Sequence, residues 1–156
     1  MKSLIKALKD HNLSICSVES LTGGLFASDL TSVSGSSAVF LGSIVAYANN
    51  VKKDVLKIDS KVIKKYGVVS KEVSELMAKA GQSILKSDVS VSFTGNAGPN
   101  VLENKEVGLV YSTIVIKDQV YNYCDKLSGT RNEIRSRIVS LAKSRLISII
   151  EGKGGL

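Results

Sequence analysis

Segments with a strand's two-residue period alternate with segments of helical period along this chain, and that alternation leaves few folds open to it. Leu13 to Val18 alternates as a strand; Thr22 to Val33 sets Leu25, Phe26, Asp29 and Leu30 at helical spacing, so strand, polar turn and helix follow in order. Before them, Leu4, Ile5 and Leu8 among lysines predict a short amphipathic helix over Leu4 to Asn12. Val39 to Ala48 reads as a long apolar strand, and Asn49 to Lys65 as short helical turns. Ser70 is a good N-cap for a helix running to about Lys86, with Val73, Leu76, Met77 and Ala80 as one apolar stripe. Asp88 to Thr94 and Val107 to Ile116 are strands, and Val120 to Lys126 pairs with the second across Lys117-Asp118-Gln119. Thr130-Arg131-Asn132-Glu133 is a capping box that launches a final helix through about Ile150. The expected fold is α/β: a single-domain, three-layer α/β/α arrangement around a mixed β-sheet, occupying residues 1–156. A hydrophobic content of 44% is ample for one core.

Several function classes drop out. No stretch reaches the roughly 18 apolar residues of a membrane span, and Met1-Lys2-Ser3-Leu4 leads into a charged segment unlike a signal peptide, so a cytoplasmic protein with no membrane partner is expected. Cys16 and Cys124 sit in apolar runs without metal-ligand spacing and read as buried thiols; neither a metal nor a cofactor is implied. The 21 basic and 14 acidic residues give a net charge of +7, which permits a phosphate-bearing partner without naming it. Nucleic acid is a poor candidate, because the basic stretches Lys52 to Lys65 and Arg131 to Arg145 have no interleaved tryptophan or other stacking platform.

Chemistry concentrates near the front. Glu19-Ser20-Leu21-Thr22-Gly23-Gly24 joins a strand to a helix, and small residues there let a ligand approach free backbone N–H groups; a plain helix cap reads equally well from these residues. Ser34-Gly35-Ser36-Ser37 lies in the next loop, and the two loops are expected to converge at one end of the sheet, although Ser34 to Ser37 also reads as an ordinary turn. The only histidine, His11, lies in a polar helix end, so a base serving a serine here would be a lysine. Lys52 qualifies only if burial or a neighbouring cation lowers its pKa, and is otherwise a surface lysine. Arg131, a cation in a helix's first turn, opposes the macrodipole unless an anion sits beside it; the alternative is a solvated side chain. Thr94-Gly95-Asn96-Ala97-Gly98-Pro99 is a ligand loop or a simple turn.

Taken in order, Glu19 to Gly24, Gly35-Ser36-Ser37-Ala38-Val39-Phe40, Tyr47-Ala48-Asn49 with Lys52, Gly67-Val68-Val69-Ser70, Thr94 to Pro99, Val107-Gly108 and Ser128-Gly129-Thr130-Arg131 resemble the CinA C-terminal domain family over almost the whole chain. The resemblance implies a stand-alone nicotinamide mononucleotide deamidase, which hydrolyses the carboxamide to a carboxylate and ammonia without a metal. It implies Ser37 as nucleophile, Lys52 as base, Tyr47 and Ser20 in support, and Arg131, Thr22, Gly23, Thr94, Gly95 and Ala97 around the substrate. It also implies a homo-oligomer, a dimer in the first instance. The chain departs from the family pattern at Val18 and Leu21, at Asn96 in place of a bulky aliphatic residue, and after Pro99, where Asn100-Val101-Leu102 lacks the usual glycines and Glu106 replaces proline. A catalytically silent nucleotide-binding or partner-binding domain is therefore a second expectation.

Overall fold

The computed structural model describes residues 1–152. Helix α1 spans Lys2–Asp10 and strand β1 Ile15–Glu19, followed by α2 over Leu25–Thr31, a short 3-10 turn at Ser36–Ala38 and β2 over Phe40–Val45. Helices α3 (Asn49–Asp54), α4 (Ser60–Tyr66) and α5 (Lys71–Leu85) lead to β3 (Val89–Gly95), the hairpin β4 (Leu109–Ile116) and β5 (Gln119–Lys126), and α6 (Arg131–Ile150). The cap signals act as expected: Ser70 Oγ accepts from Val73 N at 3.2 Å, and Thr130 and Glu133 form a reciprocal capping box. Helix α2 starts later than its periodicity suggests, because Gly23 and Gly24 take positive φ values of 56° and 93° and keep the chain out of helix until Leu25.

The sheet order is β2-β1-β3-β4-β5. β1 is parallel to both β2 and β3, whereas β4 and β5 run antiparallel, so the sheet is mixed. One apolar layer joins α1, α2 and α6 to the sheet, and within it Phe26 meets Phe93 with ring centroids 5.7 Å apart. The opposite layer gathers Val18, Ala46, Leu56, Ile58, Val73 and Met77 beneath α3, α4 and α5. Met77 is thus a core residue. At the far edge, Arg145 of α6 makes a bidentate pair with Asp125 at 2.7 and 2.6 Å and lies over the Tyr123 ring. Cys16 is buried as expected; Cys124, on the edge strand β5, is exposed, since an edge strand lacks a neighbour on one side.

This topology sets the place for a site. The chain leaves β1 toward α2 in one layer and leaves the adjacent β2 toward α3 in the other, which opens a crevice at the carboxyl ends of these two strands. Among the described residues, no helix is long and apolar enough to cross a membrane.

Candidate active site

Ser20 is the first residue beyond β1, and the sheet itself anchors it: its N–H donates to Phe93 O at 3.0 Å, while Ala46 N–H donates to Glu19 O at 2.8 Å. Beyond β2, the chain enters α3 and turns Lys52 inward, where it is only 1% exposed. The Lys52 Nζ lies 3.0 Å from Ser20 Oγ, 2.7 Å from Ala46 O and 3.3 Å from Tyr47 O. Burial lowers its pKa from 10.5 to about 8, although Glu103 pulls in the opposite direction. A neutral amine has two N–H donors and one lone pair. The two carbonyls take the donors, which leaves the lone pair for the Ser20 hydroxyl proton.

Ser37 is not part of this constellation. It sits exposed in the 3-10 turn before β2, while Lys52 follows the other end of that strand; six residues of strand rise about 20 Å. Because β1 and β2 are parallel, the loop that leaves β1 and the loop that enters β2 lie at opposite ends of the sheet. The expected convergence of the Ser20 and Ser34 to Ser37 loops therefore fails, and the hydroxyl on Lys52 is that of Ser20. His11 caps the end of α1, with its ring Nδ1 on Ala7 O at 3.0 Å.

The other expected residues gather at the Ser20 end in different roles. Tyr47 is 58% exposed, and its hydroxyl accepts from Arg131 Nη2 at 2.8 Å, while Arg131 Nη1 donates to Gly98 O at 2.7 Å. Arg131 thus ties the loop after β2 to the loop after β3. The Ser20–Gly23 turn closes through Gly23 N–H on Ser20 O at 3.0 Å, and the central amides, of Leu21 and Thr22, lie outside that bond. The Thr22 hydroxyl is buried without a partner among the described residues. Thr94 is buried, and its hydroxyl donates to Val68 O at 2.7 Å. Gly95 is required by packing, since a Cβ there would stand 2.5 Å from Leu109 O. Ala97 is buried beside it.

Four residues to which sequence patterns assign no role of their own, Glu19, Glu103, Lys105 and Arg135, shape the site. Glu19, fully buried, accepts from the amides of Gly24, Phe26 and Ala27 at 3.0–3.1 Å and from Ser17 Oγ at 3.0 Å, so it caps α2 from within the sheet. Glu103 accepts from Val68 N at 2.6 Å and from Val69 N at 3.3 Å, and Lys105 donates to Val69 O at 2.6 Å. Burial pushes the Glu103 carboxyl up, but Lys105 and the two amides outweigh it and hold its pKa below the usual value. Arg135 donates to the Leu21 and Thr22 carbonyls. The available signals were an acid ending an apolar strand and an arginine one helical turn after Arg131.

With this geometry in view, the comparisons with known proteins are specific. Residues 1–150 match the CinA C-terminal domain. The chain belongs to that family. A competence-damage inducible protein of Bacillus mycoides (strain KBAB4) is 41% identical over 134 residues, 85% of this chain and 32% of the relative. One of Bacillus cytotoxicus is 39% identical over 150 residues, 94% of this chain and 36% of the relative. The chain therefore spans about a third of the length of the curated relatives it matches. Among solved structures, the competence/damage inducible protein of Agrobacterium tumefaciens superposes with a TM-score of 0.90 at 31% identity, covering 94% of this chain and 91% of that one. A CinA superfamily protein of Klebsiella pneumoniae reaches a TM-score of 0.94 at 20% identity, over 96% and 94% of the two chains, which speaks for the fold alone.

Proposed function

We propose that this CinA-family domain is a serine amidohydrolase that converts nicotinamide mononucleotide to nicotinate mononucleotide and ammonia, with Ser20 as nucleophile and Lys52 as base. The observation that carries this reading is the buried Lys52 amine, whose two donors meet carbonyls and whose third contact is the Ser20 hydroxyl. The amide substrate follows from the family resemblance. Ser20 Oγ attacks the carboxamide carbon as its proton passes to Lys52 Nζ. The tetrahedral oxyanion is held by the central amides of the Ser20–Gly23 turn, those of Leu21 and Thr22. Its collapse expels ammonia, which takes the proton from Lys52 and leaves a nicotinoyl ester on Ser20. Water then attacks the ester, Lys52 takes the water's proton and returns it to Ser20 Oγ, and the carboxylate leaves. Arg131 and Tyr47, exposed at the rim and already bonded to each other, are the residues best disposed to meet the nucleotide.

The test is ammonia release from nicotinamide mononucleotide. The wild type and Ser37→Ala turn over alike, and Ser20→Ala and Lys52→Ala are inactive yet folded. Activity retained in Ser20→Ala refutes the assignment. A wild type that releases no ammonia, but whose thermal unfolding midpoint rises with the nucleotide, supports the silent binding domain instead. The domain is further proposed to act as a dimer in the cytoplasm, which sedimentation and fractionation check.

A further inference from the structure

One turn beyond Arg131, the half-buried Arg135 reaches from α6 onto the backbone of the nucleophile turn. Its Nε donates to Leu21 O at 3.1 Å and its Nη2 to Thr22 O at 2.8 Å, while Nη1 meets Asn132 Oδ1 on its own helix at 3.2 Å. The Glu19 carboxylate holds the start of α2, just beyond this turn, by the amides of Gly24, Phe26 and Ala27. Arg135 thus grips the carbonyls of the turn, while Glu19 anchors the helix that follows it. Such a grip matters here because the turn runs into two glycines, the residues with the most backbone freedom to lose.

Peptide planarity gives the grip a chemical consequence. In a trans peptide the carbonyl and the following N–H point opposite ways, so a Leu21 carbonyl held against α6 turns the Thr22 N–H away from α6. Helix α6 packs in the layer opposite the one that carries Lys52. The N–H is thereby directed to the side on which Lys52 meets Ser20.

We propose that Arg135 is a positioning residue for acyl transfer at Ser20: by holding the Leu21 and Thr22 carbonyls against α6, it keeps the Thr22 N–H aimed at the developing oxyanion and Ser20 Oγ in register with Lys52. This rests on the Ser20–Lys52 reading above. The guanidinium touches no reacting atom; it acts through the turn. A lysine could not replace it fully, since a single ammonium lacks the planar fork that spans two successive carbonyls.

Two assays test it. In steady-state hydrolysis of nicotinamide mononucleotide, Arg135→Ala lowers kcat on the order of 100-fold, the scale of losing one oxyanion donor, with KM near that of the wild type. Arg135→Lys falls between them. In the second assay, a fluorophosphonate probe reads the nucleophile without the amide. Ser20 Oγ forms a bond to phosphorus, the P–F bond breaks, fluoride leaves and the serine proton goes to Lys52. Arg135→Ala takes the label about 10-fold or more slowly than the wild type, by the same loss of donor preorganisation, and millimolar free guanidinium restores part of the rate. If the alanine variant does not fold, Arg135→Lys against wild type carries both measurements. Labelling and kcat at wild-type rates in a folded variant overturn the proposal, as does a wild type that takes no label on Ser20. Slowed labelling in a protein that releases no ammonia from the nucleotide leaves the positioning role standing and removes the substrate assignment.

Discussion

At Lys52 the fold brings the neutral amine within reach from about pH 8, whereas in water the ammonium persists to about 10.5. Its neutral form is what the proposed reaction needs, so kcat/KM for the nucleotide rises with pH through about 8, the value burial gives this group. A pH–rate profile flat between pH 6 and 9.5 excludes Lys52 as the base. Lys52→Met, which keeps the length and removes the proton acceptor, abolishes turnover. Elimination made a lysine base legible, because the lone histidine lay in a helix end far from the hydroxyl-rich turn, and the family resemblance then singled out Lys52. Neither made the right hydroxyl legible. Ser20 and Ser37 sit in similar glycine-flanked loops, and only the parallel direction of β1 and β2 decides which loop reaches the amine.

Among the elements, the connection from β3 to β4 most needs explaining, since it lacks the glycines of the family pattern and yet closes tightly. The side chain of Asn96 substitutes for them: its Nδ2 donates to Leu102 O and Lys105 O, and its Oδ1 accepts from Leu102 N, at 3.0–3.1 Å. Glu103 and Asn104 take the left-handed conformation instead of glycine, at φ of 60° and 53°, and Glu103 is held by the Val68 and Val69 amides just before α5. Two departures from the family thus form one unit, which pattern reading could only record separately. Asn96→Leu leaves the loop's backbone groups without partners and lowers stability by about 1–3 kcal/mol, measured by chemical denaturation. Glu103→Gln removes the negative charge that raises the Lys52 pKa, so the rise in kcat/KM moves to lower pH; a shift to higher pH contradicts the electrostatic link. The helices and the β4–β5 hairpin were legible because caps, periodicity and turn all agreed, whereas sheet order was not, since it depends on packing between distant segments.

For the molecule as a whole, carrying this site has a thermodynamic signature. The unfolded chain binds a proton at Lys52 up to pH 10.5, but the folded chain releases it near 8, so between these values the unfolded state holds more protons and stability rises with pH. The full difference corresponds to roughly 3 kcal/mol. Lys52→Met is accordingly more stable than the wild type at pH 7, and the gap narrows toward pH 10 in paired unfolding curves. A gap constant with pH contradicts the assignment of a depressed lysine pKa. The docking of α6 against the turn after β1 has a further consequence for biosynthesis. The ribosome delivers Ser20 and Lys52 early, but the helix that braces their meeting point emerges more than a hundred residues after Ser20. On the proposed reading, the turn of a nascent chain therefore lacks its Arg135 contacts, and Ser20 its full reactivity, until α6 has left the exit tunnel and seated.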